Sequence, residues 1–332
     1  MAKLITSSRL EALTQIWQEI LQVPSISQED NFFELGGDSA LAIHLFTKIT
    51  DVFGKRLPPV MIYHAPTISL QSELLDEFIP QNLSPLVLLK SGCQQPSVFI
   101  APGLGGGPAE FFQLVKYMKA PNAIYGLQPR GIEGFDDPCD RIEDMAEFYL
   151  RAILESQPKG PYILIGYSLG GLVALEMARG LTLRGYEVAL LGMLDSYPDI
   201  RALDPASLLR LLLQRLRRRL ATSGQSPRSD VRLGGLPSAD AISSFAPAFD
   251  RVREAAYFAL RRYRPSFYAG AVRFVRASDV TEFPADPKPV WSRFLPRIQV
   301  ETVPGDHLGM LTSHYLEMAA VLDRYLEKGT SF

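Results

Sequence analysis

Thiols and imidazoles are scarce in this chain: its 332 residues include two cysteines, Cys93 and Cys139, and four histidines. Two cysteines are too few for a disulfide framework or a cysteine-rich metal site, so no metal centre is expected and both read as loop or buried thiols. An excess of one charge is missing as well. Lys and Arg number 34 against 36 Asp and Glu, a formal net charge of -2, which offers no global attraction to nucleic acid or an anionic membrane. No apolar run approaches the length of a membrane span. The N-terminus, Met1-Ala2-Lys3-Leu4, opens an amphipathic stretch and not the apolar core of a signal peptide. These absences point to the cytoplasm, with neither nucleic acid nor membrane as partner. What is present is ordinary for a globular protein, 47% hydrophobic and 21% charged residues, in a chain long enough for two domains.

Apolar residues at Leu10, Leu13, Ile16, Trp17, Ile20 and Leu21 have helical spacing over 7–21. A polar loop then leads through Phe32-Phe33 and a Gly36-Gly37 turn to a second helix from Asp38 or Ser39, burying Leu41, Ile43, Leu45, Phe46 and Ile49. A further helix is expected from about Thr67 to Phe78, completing a small all-α bundle over residues 1–79. Prolines, Gln and Ser mark 80–96 as a linker, with Leu86–Leu89 a candidate first strand of the second domain.

From Ser97 the rhythm changes to short apolar runs mostly separated by helix-length segments: Val98–Ala101, Ala123–Leu127, Tyr162–Gly166, Val188–Leu194, Ala271–Arg276 and Ile298–Val303. That alternation predicts a mainly parallel sheet with helices on both faces over 97–330. Residues 199–265 hold no strand-like run and read as an inserted helical lid. Within them Leu208–Leu220 is leucine- and arginine-rich, and reads as one solvated face of a lid helix in preference to a membrane-binding segment.

Gly166-Tyr167-Ser168-Leu169-Gly170-Gly171 lies between the strand Ile163–Ile165 and the helical run from Leu172. A serine flanked by glycines at a strand–turn–helix junction is the pattern of a nucleophile elbow, where bulkier neighbours would clash. The plainer alternative is a tight glycine turn with an inert serine. A serine needs a base at neutral pH. His44 and His64 fall in the N-terminal bundle and His314 in a late helix, which leaves His307, in a loop after the last strand. Asp195 and Asp279 both end strands and could orient that imidazole; Asp195 is favoured because the insertion begins just after it. Asp306 reads as turn-forming. Ala101-Pro102-Gly103-Leu104-Gly105-Gly106-Gly107 lacks the partners of a phosphate loop. It reads instead as half of an oxyanion hole, the amide of Gly103 or Leu104 acting beside that of Leu169.

Ser39 has no nearby base and could simply cap a helix. However, Asn31-Phe32-Phe33-Glu34-Leu35-Gly36-Gly37-Asp38-Ser39 closely resembles the prosthetic-group site of the carrier proteins of nonribosomal peptide synthetases. The likeness covers about residues 8–78 and departs from the family at Ala40, where leucine or isoleucine is common. Residues 97–328 resemble type I thioesterases, α/β-hydrolases that end peptide and polyketide synthetases, through Gly166–Gly171, Met193–Tyr197 and Gly305–His307. Here Ala101-Pro102 stands where that family often has His-Pro. The resemblance implies 4'-phosphopantetheine on Ser39, attached by a phosphopantetheinyl transferase. It further implies an acyl or peptidyl thioester delivered from upstream condensation and adenylation modules, and Ser168, Asp195 and His307 as the catalytic set of a release unit. Two rival readings are a free-standing esterase or lipase with an N-terminal interaction module, and a scaffold with a dead hydrolase fold.

Overall fold

The computed structural model describes residues 2–37, 39–55, 57–76, 83–134, 136–199, 246–279, 284 and 286–328. Its contacts group the chain into two compact units. One is built on the residues up to Ser84 together with Gly131–Asp137 and the stretch up to Arg251; the other holds Pro85–Arg130, the stretch from Pro138 to 199, and the residues from Val252 onward.

The first unit contains α1 (Ala2–Leu21), α2 (Ser39–Phe53), a 3-10 turn (Pro59–Tyr63) and α3 (Ile68–Asp76). Helix α1 begins five residues before the expected Ser7, since nothing in Lys3-Leu4-Ile5-Thr6 breaks a helix. The helical spacing of Leu13, Ile16 and Trp17 puts all three in the core beside Phe32, Leu45, Phe46 and Ile49. Trp17 is fully buried, so its indole N–H needs a partner. It donates to Gln71 Oε1 at 2.9 Å, and Gln71 in turn donates to the Ala65 carbonyl at 3.1 Å. The segment ahead of α2 closes on itself. Asn31 Oδ1 accepts from the Phe33 amide at 3.0 Å, the Gly37 amide reaches the Phe32 carbonyl at 2.9 Å, and Gly36 takes a φ of +93°. Any Cβ on Gly37 would meet the Phe32 ring at 2.3 Å, so the glycine pair is what lets the turn pack against its own aromatic.

The second unit is a seven-stranded sheet. Its strands are β1 (Leu86–Lys90), β2 (Gln94–Ala101), β3 (Asn122–Leu127), β4 (Tyr162–Tyr167), β5 (Val188–Leu194), β6 (Ala271–Ala277) and β7 (Arg297–Val303), in the order β1-β3-β2-β4-β5-β6-β7. Only β1 runs antiparallel, against β3. The stretch expected as a linker over 80–96 therefore enters the sheet from Leu86. Its prolines fall outside the β1 ladder, which is all an edge strand requires.

A parallel strand buried on both faces reads as a continuous apolar run, and all six residues of β4 are buried. Tyr162 and Leu164 point to a core shared with α5 (Ile142–Ser156) and α6 (Leu169–Leu183). Ile163, Ile165 and Tyr167 point to the opposite core. That core takes in Leu114 and Val115 from α4 (Phe112–Tyr117), and Met318 and Leu322 from the last helix, Tyr315–Lys328. Strand order reverses between β2 and β4, so the carboxyl ends of these two strands border the crevice where open α/β sheets bind ligands. Of the segment expected as a lid, residues 200–245, with Leu208–Leu220 among them, lie outside the described residues. The described remainder includes the helix Ala246–Arg262. Among the described residues no helix is long and apolar enough to cross a membrane.

Candidate active site

Ser168 separates β4 from α6 with φ +54° and ψ −120°. Non-glycine residues rarely adopt such a backbone, and holding it costs roughly 1–3 kcal/mol. Its neighbours enforce it. The Ser168 amide donates to the Leu194 carbonyl at 2.8 Å, and its own carbonyl accepts from the Gly171 amide at 3.1 Å and from the Ser196 hydroxyl. The flanking glycines permit close backbone approach: a Cβ on Gly166 would lie 2.0 Å from the Gly170 oxygen, and one on Gly170 2.2 Å from that of Ala101.

Asp195 follows β5, and it too has a positive φ, 45°. Its amide donates to the Val275 carbonyl at 2.7 Å, and its Oδ1 accepts from the Ala277 amide at 3.4 Å. These bonds aim Oδ2 at His307 Nδ1, 2.7 Å away. His307 Nε2 lies 3.0 Å from Ser168 Oγ. An ionised carboxylate only accepts, so the Asp195 contact assigns the ring proton to Nδ1 and leaves Nε2 to accept from the serine hydroxyl. The Asp195 side chain is 4% exposed and that of His307 25%, so the carboxylate end of the line is dry while the imidazole stays accessible.

The structure thus brings Ser168, His307 and Asp195 into one hydrogen-bonded line. Asp279 is not in it. Its amide donates to the Gly305 carbonyl at 2.9 Å and its carboxylate accepts from the Ser278 hydroxyl at 2.9 Å. Asp306 closes a turn through the Gly309 amide, and His314 stands 3.7 Å from Glu317.

Sequence reasoning missed two contributors. The Tyr167 ring stacks on the His307 imidazole with centroids 4.9 Å apart, and its hydroxyl donates to the His307 carbonyl at 2.8 Å. Burial, reinforced by Glu110, Asp195 and Asp306, pushes the Tyr167 phenol far up, so it stays protonated and keeps that donor role. The signal was only its place inside the glycine–serine motif. The second is Glu110, on the 3-10 turn Pro108–Phe111. Its Oε2 accepts the Gly103 amide at 3.1 Å.

Gly103 therefore departs from the expectation. The amide assigned to an oxyanion is engaged by a carboxylate seven residues on, a partner that the glycine loop's own sequence does not disclose. Leu169 opens α6, where the first amides have no intrahelical acceptor.

In the other unit, Ser39 is the first residue of α2. A hydroxyl-bearing residue at the start of a 15-residue helix suits a phosphodiester, whose negative charge the helix N-terminus favours. Among the described residues no cluster could hold a metal ion.

A family model described as "Thioesterase domain" matches residues 96–327, and one described as "Phosphopantetheine attachment site" matches 11–75. The second makes 4'-phosphopantetheine the covalent cofactor expected of this chain. A dimodular nonribosomal peptide synthase of Bacillus subtilis is 37% identical over 190 residues, 57% of this chain and 8% of that protein. The chain thus spans under a tenth of that relative's length. Among solved structures, a four-domain nonribosomal peptide synthetase bound to AMP and glycine superposes with a TM-score of 0.61 at 24% identity. That match covers 95% of this chain and 26% of the other. The NocB thioesterase domain, in covalent complex with a fluorophosphonate nocardicin G analogue, gives 0.52 at 24% identity, covering 70% and 95%. At such identity these two likenesses speak to fold alone.

Proposed function

We propose that this chain, which belongs to the thioesterase domain family, is the terminal release unit of a nonribosomal peptide assembly line, with Ser168, His307 and Asp195 as its catalytic triad. The observation that carries the reading is the unbroken line from Asp195 Oδ2 through His307 to Ser168 Oγ, at 2.7 and 3.0 Å. Residues 1–79 are its carrier domain, modified on Ser39 by a phosphopantetheinyl transferase and loaded by upstream condensation and adenylation modules. When bound there, 4'-phosphopantetheine supplies the thiol that presents the acyl or peptidyl group as a thioester.

The chain's own residues do the rest. His307 Nε2 takes the Ser168 proton as Oγ attacks the thioester carbonyl carbon. Asp195 holds the ring with Nδ1–H toward itself and stabilises the imidazolium. The Leu169 amide faces the developing oxyanion at the N-terminus of α6. The C–S bond breaks, the imidazolium proton passes to the departing sulfur, and the acyl group is left as an ester on Ser168. Water, or an amine or hydroxyl of the acyl chain, then gives its proton to His307 and attacks. Ser168 recovers the proton as it leaves, so the product is an acid or a ring.

Mass spectrometry of the Ser168→Ala protein, loaded through a phosphopantetheinyl transferase, tests the reading. Cargo should accumulate at Ser39 without release. Release at the wild-type rate, or cargo elsewhere than Ser39, would refute it.

A further inference from the structure

Glu110 is a carboxylate that the release chemistry does not use, placed against the part of the site that chemistry needs. Oε2 accepts the Gly103 amide at 3.1 Å. The other oxygen sits beneath the glycine loop, where a Cβ on Gly106 would come within 1.6 Å of it. The Tyr167 ring covers the Gly103 Cα, 3.1 Å from where a Cβ would stand. The residue as a whole is half-buried, but its carboxyl end is enclosed by the loop. The Tyr167 phenol on β4 acts on it electrostatically, and one residue before Gly106 the Arg253 Cβ and Cγ, from the helix Ala246–Arg262, pack against Gly105. Asp195, Asp306 and the His307 imidazole lie beyond Tyr167. Among the described residues no cation pairs with Glu110, and burial pushes its carboxyl up to about 7 against the pull of the Gly103 bond.

Gly103 belongs to the loop that touches the elbow, since a Cβ on Gly170 would strike the Ala101 and Pro102 carbonyl oxygens at 2.2 and 2.4 Å. If the Gly103 amide is the second oxyanion donor, two acceptors compete for it: the Glu110 carboxyl and the oxyanion formed by attack of Ser168. A charged carboxylate binds an amide about twice as strongly as a neutral acceptor does.

We propose that Glu110 is a positioning residue that controls the second oxyanion donor: ionised, it retains the Gly103 amide; neutral, it yields that amide to the substrate. This rests on the thioesterase reading of Ser168. The consequence is a hole with one committed amide, Leu169, and one whose availability follows the charge on Glu110. Removing a whole oxyanion donor costs roughly 100- to 1,000-fold in kcat. Weakening a competitor for one is a smaller, opposite effect.

The test is steady-state hydrolysis of a short acyl N-acetylcysteamine thioester from pH 6 to 9 by the wild type, Glu110→Gln and Ser168→Ala. At pH 8.5, Glu110→Gln should raise kcat about three- to tenfold with KM nearly unchanged; at pH 6 it should give no gain. A carboxylate that merely props the loop predicts the reverse, an unchanged or lower kcat at every pH, and that result overturns the proposal. A second measurement does not depend on turnover. The backbone amide resonance of Gly103 should titrate with a midpoint near 7 in the wild type and stay still in Glu110→Gln; a resonance indifferent to pH in both refutes the control. Ser168→Ala separates the premises, because turnover retained there would bring down the thioesterase reading itself whatever Glu110 does.

Discussion

Replacing Glu110 with glutamine should change how the stability of the second unit depends on pH. In the unfolded chain this carboxyl ionises near 4.5, and in the folded protein burial lifts it to about 7. Between those values the folded state holds a proton that the unfolded state has lost. Stability from this group is therefore complete at low pH and declines as pH rises through the window, levelling off above about 7. At 1.36 kcal/mol per unit, the full shift corresponds to about 3 kcal/mol. A residue that keeps some solvent contact realises part of it, so a loss of roughly 1–2 kcal/mol between pH 5 and pH 8 is expected. Other groups titrate in the same range, which is why the informative quantity is the difference between wild type and Glu110→Gln at each pH. Urea unfolding can be read on Trp291, fully buried in the second unit, in a Trp17→Phe background that leaves it the sole indole. Glu110→Gln should gain stability relative to wild type on going from pH 5 to pH 8. A difference that stays constant across that interval would mean the carboxyl is not held neutral by burial, and the competition inferred for Gly103 would lose its electrostatic basis.

The same geometry sets the outcome of other perturbations. Asp195→Asn presents an amide N–H to His307 Nδ1 and favours the tautomer whose Nε2 cannot accept; kcat should fall about 10,000-fold with folding intact by circular dichroism. Tyr167→Phe keeps the stack on His307 and removes the hydroxyl bond to its carbonyl, a loss of about 1 kcal/mol that should appear as a roughly fivefold lower kcat at unchanged KM. In Gly170→Ala the added methyl meets two backbone oxygens that cannot yield, so labelling of Ser168 by a fluorophosphonate should be lost and thermal unfolding shifted down by the equivalent of about 2 kcal/mol or more. Ser39→Ala should block mass gain on incubation with coenzyme A and a phosphopantetheinyl transferase while leaving hydrolysis of a soluble thioester intact.

The fold was legible where periodicity is strong. Every apolar run from Val98 onward became a strand because a sheet covered on both faces writes itself as unbroken hydrophobicity, as in Tyr162–Tyr167. The edge was less visible. Leu86–Lys90 is short, only partly buried, and surrounded by Pro80, Pro85 and Pro96, so composition favoured a linker while pairing with β3 made a strand. Nor could periodicity give the order β1-β3-β2-β4, which depends on crossovers rather than on any one segment.

At the site, legibility followed how local the determinant is. Ser168 stood out because a sharp turn demands glycines at fixed spacing, and His307 because so few imidazoles are present. In the chain the preference for Asp195 over Asp279 rested on position alone, since both end neighbouring strands; a geometric choice is a separate matter. It is made by hydrogen bonds between strands: the Val275 and Ala277 backbone holds Asp195 toward His307, whereas Ser278 holds the Asp279 carboxylate. Glu110 lay furthest from view. Seven residues separate it from the Gly103 amide it accepts, on a one-turn helix with no repeating pattern, and an acidic residue there reads as surface. What reverses that reading is the loop itself. Gly106 has no side chain, so the backbone folds over the carboxyl where a Cβ would come within 1.6 Å of Oε1, and the same bareness lets a buried carboxyl reach the Gly103 amide.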